Sequence, residues 1–261
     1  MFILTLIRAL LWSVFFVLHT AVLAIAVVLA SYVLKWRPFF EFIMTKAWSK
    51  WPLNLAGVQV EVRGAERLQG LSGGCLFLFS HSSLIDILVL FGYLPKPFMF
   101  GSKIELFRVP IFGPAMKRMG ALPIARDNRA EVLKVYAGAR QRVKAGESFA
   151  LAPEGTRQDQ GTQLGSFKKG PFYLAVQAQA PIVPVLIAGA HDVLPKKRYL
   201  INLGRWRRKV ILQILSPISV EGLGEEHVGD LVQSTRETMV SEYSRLNREL
   251  VLESGLSEPL P

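Results

Sequence analysis

Apolar and polar positions divide the chain into three regimes. From Ala9 to Leu34 no residue carries a formal charge, and Leu, Val, Ala, Ile and Phe dominate. As a helix this run reaches roughly 39 Å against a hydrocarbon core of about 30 Å, long enough to span with tilt. A signal peptide is the rival reading, since Arg8 precedes the run and Ala30 and Ser31 are small, but secretory apolar cores are typically ~7 to 15 residues. Phe40, Ile43, Met44, Ala47, Trp48 and Trp51 then recur on one helical face, with Glu41, Thr45, Lys46, Ser49 and Lys50 on the other, between Pro38 and Pro52. Such a helix suits a headgroup layer or a docked position on the following domain.

Past Asn54, short β-rich runs alternate with helical periods. Strands are predicted at Val58 to Arg63, Cys75 to Ser80, Pro97 to Gly101, Leu122 to Arg126, Phe149 to Ala152, Ile182 to Ala188 and Val210 to Leu215. Helices are predicted at Leu84 to Phe91, Pro110 to Met119, Arg129 to Lys144, Gly170 to Gln179 and Val228 to Val251. The alternation predicts an α/β fold with a largely parallel central sheet flanked by helices, preceded by an N-terminal membrane-anchoring helical segment. The expected division is an anchor over residues 1–55 and an α/β domain over 56–261.

Composition changes this picture in two ways. One cysteine, Cys75, cannot form an internal bridge, and four scattered histidines offer no metal-ligand cluster. Charge is uneven: residues 1–220 hold 28 Lys/Arg against 11 Asp/Glu, whereas residues 221–261 hold 3 against 9. A basic body implies an anionic partner, and the apolar N-terminus favours lipid over nucleic acid, for which no reading motif is present. The acidic C-terminal helix is expected to lie away from that partner. Lys35, Arg37, Lys46 and Lys50 follow the apolar run while only Arg8 precedes it, so the positive-inside bias puts the body in the cytoplasm; Trp12 and Trp36 sit near its two ends.

Candidate chemistry concentrates at predicted strand ends. Ser80-His81-Ser82-Ser83-Leu84-Ile85-Asp86 puts His81 at a strand terminus and Asp86 in the first turn of the next helix, where a carboxylate can fix an imidazole's tautomer and support a general base. Ser83 and Asp86 also read as a plain capping box. Pro153-Glu154-Gly155-Thr156-Arg157 is a turn after a strand, carrying a carboxylate, amides and a guanidinium, or else an ordinary solvated turn. Gly120 to Arg126 ends a third strand in an arginine, and Arg126 and Arg157 each offer the planar fork that grips phosphate. Pro181-Ile182-Val183-Pro184-Val185 reads as an edge or groove-lining strand, or as a core strand. Cys75, in an apolar strand without a basic neighbour, reads as buried rather than nucleophilic. His19, His191 and His227 read as incidental. The cluster from Lys196 to Lys209 reads as a solvated face or a contact for anionic headgroups or an acidic acyl carrier.

These four elements, in this order, resemble the glycerolipid acyltransferase family typified by 1-acyl-sn-glycerol-3-phosphate acyltransferase. The family's His and Asp with four residues between them match His81 and Asp86. Its Gly with an Arg six on matches Gly120 and Arg126; its Pro-Glu-Gly-Thr-Arg matches Pro153 to Arg157 unchanged; its Pro-rich strand matches Pro181 to Val185. Lys103-Ile104-Glu105-Leu106 and Phe167-Lys168-Lys169-Gly170 are similar too. The resemblance covers about residues 56–220, and departs at Ser80, where the family often has Asn.

The resemblance implies transfer of a fatty acyl group from acyl-CoA or acyl carrier protein to the sn-2 hydroxyl of lysophosphatidic acid, with His81 as general base oriented by Asp86. It implies that Arg126, Glu154, Gly155, Thr156, Arg157 and Lys103 bind substrate, that no cofactor is needed, and that the setting is a membrane, a bacterial inner membrane with the catalytic domain on the cytoplasmic side. Membrane lipids are the further partners implied. Alternatives are a sibling enzyme acting on a lysophospholipid, glycerol 3-phosphate or lyso-ornithine lipid, and a non-catalytic tethered basic lipid-binding domain.

Overall fold

The computed structural model describes residues 2–33 and 43–254. Lys35, Trp36, Arg37, Pro38, Phe40, Glu41 and the tail from Gly255 lie outside the described residues, as do the side chains of Met44 and Thr45. Helix α1 covers Phe2–Val33; a π-helical turn Ile43–Lys50 runs into α2, Trp51–Leu55. The α/β body then follows as β1 (Val58–Arg63), β2 (Leu76–Phe79), α3 (Ile85–Tyr93), β3 (Met99–Lys103), α4 (Phe112–Arg118), β4 (Leu122–Ile124), α5 (Arg129–Lys144), β5 (Phe149–Leu151), α6 (Gly170–Ala178), β6 (Ile182–Ala188), α7 (Ala190–Val193), β7 (Arg208–Ile214) and α8 (Val228–Ser254). Every strand and helix predicted past Asn54 is present, within about three residues at each end, whereas the helix predicted between Pro38 and Pro52 is described only from Ile43 onward.

Seven strands form one mixed sheet in the order β1-β7-β6-β2-β5-β3-β4. All neighbours are parallel except β6 and β7. The three central strands β6, β2 and β5 are apolar at every position, as Leu76-Phe77-Leu78-Phe79 shows, because both faces of the sheet are covered there. One face carries α5, α6 and α8, with Phe149, Phe172 and Tyr243 in its core. The other carries α3 and the N-terminal half of α1, with Phe77, Phe79, Leu90 and Trp12.

One expectation is corrected. The strand Ile182–Ala188 is not an edge: it lies between β7 and β2 with all seven residues buried. Pro184 is tolerated because its nitrogen faces the β7 side where that ladder is broken. Pairing with β7 begins at Val185, and Ile182 bonds instead to Ile218. The acidic helix α8 packs on the body through an inner stripe of buried Leu231, Thr235, Met239, Tyr243 and Leu246.

Helix α1 is long and apolar enough to cross a membrane by length and composition. It nevertheless lies along the body for its whole length. Near its start Arg8 donates to the carbonyls of Arg205 and Trp206, in its middle Trp12 Nε1 donates to Pro52 O (2.8 Å), and towards its end Ala24 and Val27 pack with Ile43 and Ala115. Its other side, from Ile3 through Ile7, Leu10, Val14, Val17 and Val22 to Leu29, is an exposed apolar stripe. The following π-helical segment turns Ile43, Ala47 and Trp48 onto protein, Trp48 against Phe16 and Phe91, and leaves Trp51 exposed. His19 is held by Ala47 O at 2.9 Å and ring contacts with Phe15 and Trp51.

Candidate active site

Parallel strands present their carboxyl ends along one edge, and ligand sites of open α/β sheets form there. β2, β5, β3 and β4 are consecutive in the sheet, so the residues that follow them are brought into one row: His81 after β2, Glu154 after β5, Lys103 at the end of β3, and Arg126 after β4. Chain separations of up to 73 residues thereby collapse to neighbouring positions.

His81 and Asp86 meet. Nδ1 of the imidazole lies 2.9 Å from Asp86 Oδ2, with His81 6% and Asp86 0% exposed. The same oxygen accepts the backbone amides of Ser82 and Ser83, each at 2.8 Å. The capping and catalytic readings of Asp86 are therefore both satisfied by one atom: the carboxylate closes the helix start and, in closing it, stands beside the imidazole. Asp86 Oδ1 is buried without a hydrogen-bond partner among the described residues. A fully buried carboxylate with a bare oxygen leaves unsatisfied negative potential for a positive charge developing on the ring it touches. With Asp86 as acceptor, Nδ1 carries the proton, and Nε2 has no hydrogen-bond partner among the described residues.

The turn that carries His81 is tied down on several sides. Glu154 Oε1 accepts the His81 amide (2.9 Å) and Oε2 accepts the Gly165 amide (2.7 Å), while His81 O accepts the Gln158 amide (2.8 Å). Both oxygens of this buried carboxylate are thus spent on backbone. Burial raises the Glu154 pKa to about 7, with the charge of Asp86 also raising it, against the two amides and Arg236, which lower it. Ser80 Oγ accepts the Ile187 amide (2.8 Å), and the edge of the Phe79 ring meets the His81 ring at 5.4 Å between centroids. Ser83 Oγ donates to Leu194 O (2.8 Å).

Arg126 and Arg157 come close enough to feel each other's charge. Loss of water around its guanidinium is the largest influence lowering the Arg126 pKa, although the residue as a whole is exposed; Arg157 adds to that lowering and Glu105 opposes it. Neither arginine makes a hydrogen bond or ion pair among the described residues, although the charges of Glu105 and Asp127 reach Arg126. Lys103, by contrast, pairs with Glu105 at 3.3 Å on the surface. Gly155 takes φ +72° and donates its amide to Ala152 O, closing the turn itself; the Thr156 amide donates to no group among the described residues.

Two contributors escaped the sequence reading, as did the bond made by Ser80, which stood there only as a departure from the family pattern. Arg236 of α8 donates to Gly165 O (2.9 Å) and Leu164 O (3.1 Å), and Tyr243 donates to Gly161 O (2.6 Å). Arg236 and Tyr243 are seven apart on the stripe of Leu231, Met239 and Leu246, a spacing that marks a common face but not what that face meets. Cys75 is buried, its Sγ 3.4 Å from Ser148 Oγ, with its pKa raised by burial. It precedes β2 whereas His81 follows it, which sets the two about 20 Å apart along the strand. No group of three or more His, Cys, Asp or Glu side chains able to hold a metal occurs among the described residues.

The Acyltransferase family model matches residues 59–188. Human 1-acyl-sn-glycerol-3-phosphate acyltransferase beta is 33% identical over 193 residues, covering 74% of this chain and 67% of that protein. The chloroplastic 1-acyl-sn-glycerol-3-phosphate acyltransferase BAT2 of Brassica napus is 30% identical over 161 residues, 62% of this chain; the match spans less than half, 46%, of that longer relative. The crystal structure of the 1-acyl-sn-glycerophosphate (LPA) acyltransferase PlsC from Thermotoga maritima superposes with a TM-score of 0.74 at 25% identity, covering 92% of this chain and 96% of that one. The chain belongs to the acyltransferase family.

Proposed function

We propose that this member of the acyltransferase family transfers a fatty acyl group from a thioester donor, acyl-CoA or acyl carrier protein, to the sn-2 hydroxyl of lysophosphatidic acid. The observation that carries the reading is the 2.9 Å contact between His81 Nδ1 and Asp86, with Nε2 left without a partner among the described residues, on the same sheet edge as Arg157, which follows the neighbouring strand β5, and Arg126, which follows β4. The names of the relatives support the same acceptor.

In this mechanism His81 Nε2 takes the proton of the acceptor hydroxyl as its oxygen attacks the thioester carbonyl carbon. The tetrahedral intermediate collapses with cleavage of the carbon–sulfur bond, and the imidazolium returns the proton to the departing thiolate. Ester and thiol are the products, and no acyl-enzyme forms. General base assistance supplies about 10² to 10⁴ in rate, positioning the remainder. Asp86 holds the tautomer and faces the positive ring. Arg126 and Arg157 clamp the acceptor phosphate, with Lys103 at the rim. Glu154 positions the His81 turn, Gly155 shapes its own turn, and the Thr156 amide is the available donor towards the oxyanion.

The protein works at a membrane surface. Residues 1–55 form the anchor, the exposed stripe of α1 entering the lipid while the body, fastened along the other side of that helix, stays on the cytoplasmic face, where thioester donors are found. Thiol release from acyl-CoA or acyl carrier protein, followed for a panel of lyso-acceptors with the His81→Ala protein as blank, tests the reading. Turnover restricted to acceptors lacking a phosphate monoester would overturn the acceptor, and salt-sensitive lipid binding without turnover would overturn the enzyme.

A further inference from the structure

The loop from Leu194 to Arg207, between α7 and β7, takes no part in the mechanism yet is fastened with unusual care. Arg8 of α1 donates to Trp206 O and Arg205 O, 2.7 Å each, and lies over the Trp206 ring at 4.6 Å. Ser13 Oγ shares its proton between Ala9 O (2.9 Å) and Tyr199 O (3.2 Å), and the Gly204 amide donates to Thr5 Oγ1 (3.1 Å). Beneath, fully buried Asn202 donates through Nδ2 to Ala56 O and through its amide to Val193 O, 2.7 Å each, from a left-handed backbone at φ +56°. The loop is thus rigidly held to α1 and to the body.

What it displays does not serve the interior. Tyr199 is 85% and Trp206 46% exposed. Lys196 and Lys197 share Asp159, but Arg198 and Arg207, both exposed, make no ion pair or side-chain hydrogen bond among the described residues. The loop flanks the N-terminal half of α1, where Ile7, Leu10, Val14 and Val17 are exposed. Two rings with amphipathic character and two unpaired guanidinium groups border an apolar stripe, the arrangement that a headgroup layer accommodates: rings at the interface, guanidinium forks on phosphates. A nucleic acid or a soluble acidic partner would leave the adjoining stripe uncovered.

We propose that the loop Leu194–Arg207 is a second membrane contact, one that binds the headgroups of anionic phospholipids. The inference rests on the membrane reading of α1 and adds the lipid class and the residues that sense it. A single apolar helix lying on a bilayer is free to roll about its axis; a second contact fastened beside it stops the roll. Because Leu194 O holds Ser83, two residues from His81, the orientation of the loop is also that of the catalytic turn.

The test uses the full chain, transferred from detergent to limiting amounts of vesicles of phosphatidylcholine alone or mixed in equal parts with phosphatidylglycerol. The wild type should prefer the anionic vesicles, and R198Q/R207Q should lose about thirty-fold in partition to them, roughly fivefold per cation, with no change on neutral vesicles. High salt should erase the difference, and activity in detergent micelles should be unaltered. A double variant that partitions like the wild type overturns the proposal, as does a loss of micellar activity in parallel with binding, or a loss of acyl carrier protein binding with vesicle partition retained. Wild-type protein that binds neutral and anionic vesicles alike sinks the loop proposal alone, whereas wild-type protein that binds neither sinks the membrane reading of α1 with it.

Discussion

Glu154 accepts the backbone amide of His81 at 2.9 Å across 73 residues of chain, and spends its second oxygen on the amide of Gly165. The turn that carries Glu154 is therefore a brace for the imidazole. Its neighbour Arg157 makes no hydrogen bond or ion pair among the described residues, and under the proposed function it is the member of the turn that meets the acceptor phosphate.

Replacing Glu154 by Gln puts an amide donor against one of two backbone donors. Thermal or denaturant unfolding should show a loss of about 1 to 3 kcal/mol, the cost of an unsatisfied buried group. The pH dependence has a definite sign. The folded carboxyl, at about 7, lies above its ordinary 4.5. Folding therefore favours the protonated form, so this group's stabilisation is complete below about 4.5 and is lost as pH climbs through about 7. Subtracting the Glu154→Gln stability curve from that of the wild type should leave a decline confined to that window; a flat difference would refute the assignment.

His81→Ala should reduce acyl transfer by about 10² to 10⁴ while circular dichroism and membrane recovery stay those of the wild type. Asp86→Asn should lose activity by a comparable factor, because the amide cannot both accept three N–H groups and face a positive ring. It should also melt lower, since Asp86 closes the start of α3. Equal stability of the Asn variant would show that the capping bonds survive without the charge.

Arg157→Gln should raise KM for a phosphate-bearing acceptor by about 10- to 100-fold, the value of a charge-assisted hydrogen bond, with kcat changed less. Relief of repulsion from Arg126 should leave its melting temperature unchanged or slightly higher. Steady-state kinetics against acceptor and donor separately check this: an effect confined to the donor KM would move the guanidinium to the other substrate.

Arg236→Gln, more than 150 residues from His81 in sequence, should lower kcat several-fold and cost about 1 to 3 kcal/mol. It frees the carbonyls of Leu164 and Gly165 and so slackens the segment that holds Glu154. Arg236→Lys should recover part of both. Activity retained in full after a clear loss of stability would confine Arg236 to the fold.

Much of this protein is written in local pattern. The uncharged run that becomes α1, the all-apolar central strands β6, β2 and β5 and the amphipathic periods of α5 and α8 are legible because burial on one face or two imposes its own period on the residues. The His81 to Asp86 spacing was legible too, since a strand end followed by a helix cap leaves those side chains one way to meet. Tertiary structure decided the rest. Pro184 could be a central residue only because β7 interrupts its ladder there, and the sheet order alone made Glu154 a brace for His81. Helix α8 proved to support the site through Arg236 and Tyr243, and α1 to lie along the body. Each of these depends on which distant surfaces come together, and side-chain periodicity records that a face is buried without recording what buries it.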